Sequence, residues 1–247
     1  MIRYGAGGHD PPVALPCGGS LLVLVEHLVP TDRTLHDLHL MRRALSGEGA
    51  VVRRLDVVAQ TCEVVQHPGI AAKVILDDAQ SKVQLHVGPA QKLLIAGLSP
   101  VAEFCAQFAL SLGLEVVICD PREEAWAGFS LTGVTCRREL PAVYIEAGGC
   151  HGQTAVVALT HDPRLDDLTM MEAVRTPAFY IGAMGSQRTS QKRLERLQRI
   201  GRLSDEQLRR IRAPIGLNLG SKTPAQIALA VMADILRASN GIDRAHL

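Results

Sequence analysis

The second half of the chain is built from short, almost wholly apolar runs that end in polar turns. KLLIA spans Lys92–Ala96, EVVIC spans Glu115–Cys119 and TAVVAL spans Thr154–Leu159, with a further strand at Ala178–Ile181. Strands this apolar are covered on both faces. Between them lie stretches of helical spacing. Pro100–Leu112 puts Val101, Phe104, Cys105, Phe108 and Leu112 on one face, and Gly113 ends it; Leu165–Val174 is a second helix. Apolar strands alternating with amphipathic helices predict an α/β fold with a doubly wound parallel sheet.

The pattern before Val87-Gly88-Pro89 is different. Segments Ser20–Glu26, Ala50–Val58, Lys73–Asp77 and Val83–Val87 read as strands, and Thr31–Ser46 reads as one helix with Leu35, Leu38, Met41 and Leu45 on its apolar side. A boundary near residue 88 therefore divides a smaller α+β N-terminal domain, 1–88, from an α/β domain, 89–247. Further on, Ser204 with Gln207 and Thr223 with Gln226 are capping boxes, the second with Pro224 at the first helical position.

Composition narrows the function classes. With 47% hydrophobic and 21% charged residues the chain is expected to fold rather than stay disordered. No apolar run approaches the ~20 residues of a membrane span, and Tyr4-Gly5-Ala6-Gly7-Gly8-His9 stands where a secretory signal would need an apolar core. A net charge of +1 and 3% aromatic residues give no case for a nucleic-acid or membrane partner. The six cysteines, Cys17, Cys62, Cys105, Cys119, Cys136 and Cys150, form no C-x-x-C pair, which fits reduced cytoplasmic thiols rather than a zinc or disulfide framework.

In a doubly wound sheet ligands bind beyond the carboxyl ends of the strands. The turn after the first strand reads Gly97-Leu98-Ser99-Pro100-Val101-Ala102. Gly97 keeps the tight turn of a dinucleotide fingerprint, but Ser99 stands where its middle glycine lets a pyrophosphate approach, and Pro100 donates no N–H. Asp120 follows 23 residues after Gly97, the usual place of a ribose-binding acid. NAD(P) binding is not expected from this turn. Asp120-Pro121-Arg122 reads either as a turn closed by a local ion pair or as a hydroxyl or phosphate contact suited to the guanidinium. Thr160-His161-Asp162, at another strand end, reads either as a polar turn with Asp162 capping the next helix or as a hydroxyl, an imidazole and a carboxylate for an anion or a proton.

Gly182-Ala183-Met184-Gly185-Ser186 is a small-residue loop before a helix, where backbone N–H groups can face an anion. Arg188 falls in the first turn of that helix, against its dipole, which makes sense beside something anionic. From Arg188 to Arg212 there are nine Lys/Arg and three Asp/Glu. This run reads either as a solvated helix with Leu194, Leu197 and Ile200 buried, or as a docking surface for an acidic partner or cofactor phosphate. Cys17, beside Gly18 and Gly19, reads either as a turn cysteine or as an exposed thiol near a nest of N–H groups, a setting that would favour thiolate. His36-x-x-His39 has no evident third ligand and is read as structural.

These segments together resemble the XdhC/CoxI family, accessory proteins that mature xanthine dehydrogenase and related molybdenum hydroxylases. VVICDPRE (116–123), TAVVALTHDPRLDD (154–167), YIGAMGSQRT (180–189) and RAPIGLNLGSKTPAQIALAVMADI (212–235) carry the resemblance, with RYG (3–5) and LPCGG (15–19) upstream. The match covers about 91–241. Leu98, Ser99 and Pro100 replace the last three residues of the family's G-A-G-H turn, and its GSSPRP-like and GGC-like opening motifs do not occur here, so a partial N-terminal domain is expected.

The resemblance implies a C-terminal Rossmann-like domain. It also implies a non-enzymatic chaperone that binds the molybdenum cofactor (molybdopterin), protects it during sulfuration by a cysteine desulfurase, and delivers it to an apo molybdenum hydroxylase of the xanthine dehydrogenase type; a homodimer is compatible with it. The implied cofactor-binding residues are Gly97, Ser99, Asp120, Arg122, Thr160, His161, Asp162, Gly182, Gly185, Ser186, Arg188, Gly216 and Asn218. Within that set the Gly182–Ser186 loop with Arg188 takes the phosphate, Asp120 and Asp162 take ring donors, and Cys17 lies near the metal. Two alternatives stand beside this reading: an NAD(P)-dependent oxidoreductase, and a scaffold that has lost its ligand.

Overall fold

The computed structural model describes residues 1–9, 19–66, 73–77, 79–160 and 162–243. Cys17 and His161 lie outside the described residues. The chain divides into two compact units, Met1–His39 and Leu40–Leu247. In the first, β1 (Ile2–Gly5) pairs antiparallel with β2 (Ser20–Val23), which stops short of the expected Glu26. Helix α1 (Asp32–Leu45) forms where helical spacing places it, yet Leu35, Leu38 and Leu45 of its apolar side are exposed and Ala44 is buried instead.

Within the second unit a four-stranded antiparallel sheet comes first: β3 (Val51–Asp56), β4 (Thr61–Gln66), β5 (Lys73–Leu76) and β6 (Lys82–Val87), in the order β4-β3-β6-β5. The β4 strand was not expected. Its partner is β3, across a four-residue turn, and it reads weakly because its polar residues face outward.

The rest of this unit carries a six-stranded parallel sheet. Its elements are β7 (Lys92–Ala96), α2 (Pro100–Ser111), β8 (Glu115–Cys119), β9 (Val134–Arg137), the short α3 (Pro141–Tyr144), β10 (Thr154–Ala158), α4 (Pro163–Ala173), β11 (Tyr180–Ala183), α5 (Gln187–Arg199), α6 (Asp205–Arg209), β12 (Ile211–Arg212) and α7 (Pro224–Ser239). The strand order is β12-β11-β10-β7-β8-β9 and every neighbouring pair is parallel. From central β7 the chain goes out to β8 and β9, then returns across the sheet to β10, β11 and β12. This is the Rossmann order, and the reversal between β7 and β10 opens a crevice at the carboxyl edge.

Period-two alternation along each strand splits the core into two layers. Leu93, Ile95, Val116, Ile118, Ala155 and Val157 face α2 and α7, while Leu94, Ala96, Val117, Cys119, Val156 and Ala158 face α4 and α5. Local chemistry sets the helix starts. Ser99 caps α2, Asp162 caps α4 and Ser186 caps α5, while both expected capping boxes form at α6 and α7.

Candidate functional site

The turn after β7 is closed from two directions. Gly97 has φ +84°, and a side chain on it would collide with the Thr160 methyl group at the end of β10. Ser99, standing where a dinucleotide fingerprint has its middle glycine, uses its hydroxyl to accept from the Ala102 N–H at 3.2 Å. The departure at Ser99-Pro100 is thus a helix start, with the cap and Pro at the first position working together.

Asp120 is fully buried at the end of β8. Its Oδ2 accepts from the Leu98 N–H at 2.7 Å and from Arg122 Nη2 at 2.6 Å; its Oδ1 accepts from the Arg122 N–H and Nε, both at 2.9 Å. A carboxylate has about four acceptor positions, and here each is filled. Burial pushes this carboxyl up, but the Arg122 guanidinium and the two N–H groups outweigh it and hold it below the usual range. Asp120 therefore ties the first turn to the second strand and offers neither a ribose hydroxyl nor a pterin ring N–H a free lone pair. Arg122 also donates through Nη2 to the Leu98 carbonyl at 3.3 Å. Its Nη1 has no partner among the described residues.

Across the crevice, the Thr160 hydroxyl donates to Asp166 Oδ1 at 2.7 Å and accepts from the Asp162 N–H at 3.0 Å. Asp162 accepts from Arg164 through both oxygens, at 3.2 Å from Nε and 3.0 Å from Nη2, and Oδ1 also takes the Arg164 N–H at 2.9 Å. Among the described residues, Oδ2 accepts only from Arg164 Nη2, which leaves one lone pair open. The Arg164 side chain, then its N–H, lower the Asp162 carboxyl, and the charge of Arg122 adds to this, so the β8 and β10 turns share one field.

A feature hidden from sequence reading lies under this rim. Asp166 is fully buried, and Arg193 of α5 is 2% exposed. Arg193 donates to Asp166 Oδ2 at 2.8 Å, to Asp167 Oδ1 at 3.2 Å and to the Met184 carbonyl at 3.0 Å, while Arg196 also bonds Asp167. Burial raises the Asp166 carboxyl despite the Thr160 hydroxyl and Arg193 beside it. This network locks α5 to α4 and holds the Met184-Gly185-Ser186 loop. It also corrects one residue of the buried stripe expected on α5: Leu197 is buried and Leu194 packs partly against the core, with Ser190 and Arg193 also inward, but Ile200 is 66% exposed. Arg210 is likewise inward, spanning the carbonyls of Val174, Thr176 and Ala178.

Gly182 sits inside β11, opposite Val157 and Arg212, with no room for a Cβ beside Ile215. Its backbone belongs to the sheet, which corrects its expected place in an anion loop; Gly185 and Ser186 make that loop. At the start of α5 a cavity of about 220 Å³ is lined by Pro163, Arg188, Thr189, Lys192, Arg193 and Arg196. Arg188 and Lys192 are exposed and have no carboxylate partner among the described residues. After β12, the Ile215 N–H donates to the Ala183 carbonyl, which brings that loop to the same edge of the sheet. Gly216 there has φ +86° and lies flat on the Ala230–Val231 backbone, and Asn218 is exposed.

Among the described residues no group of three or more His, Cys, Asp or Glu could hold a metal ion, and no helix is long and apolar enough to cross a membrane.

Residues 93–235 match the family described as the XdhC Rossmann domain. Over 234 residues the chain is 26% identical to the molybdenum cofactor insertion chaperone PaoD of Escherichia coli K12, covering 95% of this chain and 64% of that protein. Over 155 residues it is 27% identical to the uncharacterized protein YqeB of the same organism, covering 62% of this chain and 28% of that one. The chain thus spans less than two thirds of the length of either relative. The fold is also similar to the crystal structure of a xanthine dehydrogenase from Bacillus halodurans, with TM-score 0.61 and 17% identity, over 87% of this chain and 66% of that one.

Proposed function

The chain belongs to the XdhC family, and from that premise we propose that it is a non-enzymatic maturation factor. In this reading it holds the molybdenum cofactor at the carboxyl edge of its parallel sheet and hands it to an apo molybdenum hydroxylase. The name of its relative PaoD supports this, as does one observation above the rest: the cation-lined cavity at the start of α5, beside the crevice.

The residues present fit the cargo. A phosphate monoester is a compact dianion, and a helix N-terminus with Arg188 and Lys192 on a small cavity matches it. Arg188 and Lys192 would take the phosphate, with Gly185 and Ser186 supplying the loop. Asp162 Oδ2 and Arg122 Nη1 would orient the ring, one as acceptor and one as donor. Asp120 acts behind them as a positioning residue, because its acceptors are spent on Leu98 and Arg122. Thr160 likewise positions Asp162 and Asp166. A cysteine desulfurase acting on the held cofactor belongs to the same proposal, as does the division of the chain near residue 88; the family match begins at Leu93.

The test is co-expression with cofactor biosynthesis, gel filtration, then oxidation and pterin fluorescence. Wild-type protein is expected to carry pterin. The double variant Arg188→Ala/Lys192→Ala is expected to lose about tenfold or more of it with an unchanged melt, in line with one or two charge-assisted contacts. Wild-type protein that elutes without pterin, and that NAD(P)H protects against heat, would overturn the reading in favour of an oxidoreductase.

A further inference from the structure

We propose that the groove between α4 and α5 is a docking surface for an amphipathic, carboxylate-bearing segment of a partner protein. The groove has a volume of about 380 Å³; Leu168, Met171, Leu197, Ile200 and Gly201 form its apolar part, with Arg164 and Arg196 on its margins. On α4, Arg164, Leu168 and Met171 recur at i, i+4 and i+7 and so share one face. Leu168 on α4 is 46% exposed and Ile200, just past the end of α5, is 66% exposed, two apolar side chains beside a helix, α5, that is otherwise rich in charge.

Two features keep the groove open. Ile200 stands just past Arg199, the last residue of α5, and its side chain is exposed while Arg193 and Leu197 hold the inward positions of the helix. Gly201 has no side chain, and one there would meet the Leu197 carbonyl and the Met171 thioether.

Charge selects the occupant. Three of the nearby carboxylates are already engaged with cations, Asp162 with Arg164, Asp167 with Arg193 and Arg196, and Glu172 with Arg175, while Glu195 on α5 accepts from the Gln191 amide. The cations are in excess. Arg199 and Arg202 flank Ile200 and Gly201, are exposed and have no carboxylate partner among the described residues, and the Arg164 side chain is 90% exposed. An apolar strip with Arg199 and Arg202 beside Ile200 and Gly201, neither of them paired with a carboxylate among the described residues, fits a helix that presents Leu-type residues at i, i+3, i+4 and i+7 with Glu or Asp beside them. The groove shares Pro163 and Arg196 with the cation-lined cavity at the start of α5, so a docked partner would lie next to that cavity.

The full chain is titrated, by fluorescence anisotropy, into a labelled peptide of about 18 residues, long enough to form a helix. The peptide carries Leu at those spacings and Glu on its flanks; a second peptide has Lys in place of Glu. The Glu peptide is expected to bind about tenfold or more tighter than the Lys peptide. That preference is expected to collapse at about 1 M salt, where the screening length is ~3 Å. Ile200→Glu and Leu168→Glu, both at exposed positions, are each expected to weaken Glu-peptide binding about tenfold with unchanged circular dichroism and melting.

Equal binding of the two peptides, no binding, or binding unchanged in both variants would overturn the proposal. So would concentration-dependent self-association that Ile200→Glu abolishes, which would assign the face to a second copy of this chain. Pterin retention is measured on the same proteins. Its absence from the wild type would count against the cofactor reading alone, and its persistence in Ile200→Glu keeps the two apart.

Discussion

The Thr160 methyl group occupies the space that any side chain at Gly97 would need. The two residues follow adjacent parallel strands, β7 and β10, at the switch point, so the two turns approach closely there. Gly97→Ala is expected to cost about 2–4 kcal/mol in denaturant unfolding, from a left-handed backbone and an overpacked contact. Thr160→Ser keeps the hydroxyl bonds and removes the methyl. In a double-mutant cycle it should recover the steric share, leaving about 1–2 kcal/mol of backbone cost. A double variant no more stable than the sum of the single ones would show that the methyl is not the obstacle.

The bonds on Asp120 make stability depend on acid. Its carboxyl is held below the ordinary value of 3.8 in the folded chain, so the unfolded chain binds the proton first as pH falls. The stabilisation is fully present above that ordinary value and is lost as pH drops through the lower, folded one. Asp120→Asn should therefore flatten the acid limb of a stability–pH curve. At neutral pH it should cost about 2–3 kcal/mol, less than for a fully buried pair because Arg122 is partly solvated. An acid limb identical to the wild type's would remove Asp120 from this account.

Arg193 carries a different kind of risk. Arg193→Met leaves Asp166 buried and unpaired, which is expected to cost about 3–5 kcal/mol. Adding Asp166→Asn should return part of that loss, because the stranded charge is gone. If the second change instead deepens the loss, the Thr160–Asp166 bond matters more than the ion pair.

Thiol labelling should separate the cysteines by burial. Burial pushes Cys105 and Cys119 up to about 12 and Cys150 up to about 11, so all three stay protonated and slow near neutral pH. Cys136 is exposed on β9. Mass spectrometry after brief alkylation should find Cys136 modified well before those three, and denaturant should bring all four to similar extents. Early modification of Cys119 would mean that the layer over β8 opens readily.

Much of the architecture was legible locally. β7, β8 and β10 lie within one residue of their apolar runs, and both capping boxes form, because a strand covered on both faces and a reciprocally capped helix each carry their signature in a few adjacent residues. β9, with the sequence Val-Thr-Cys-Arg, went unread, since an edge strand half open to solvent needs no apolar run. Within the candidate site, Gly185, Ser186 and Arg188 stand where the loop-then-helix pattern puts them, at the start of α5.

Sequence alone determined that apolar strands alternate with helices and that polar turns gather at one end of the sheet, because those properties follow from residue order and period. Tertiary structure alone decided which polar groups remain available there. Asp120 and Asp162 look alike as acids at strand ends. One is saturated by Leu98 and Arg122 and the other keeps a lone pair among the described residues, because the number of donors facing a carboxylate depends on neighbours brought together from elsewhere in the chain. Arg193 looks like one more cation in a basic run, and it is buried because Asp166, 27 residues away, faces it across the α4–α5 contact.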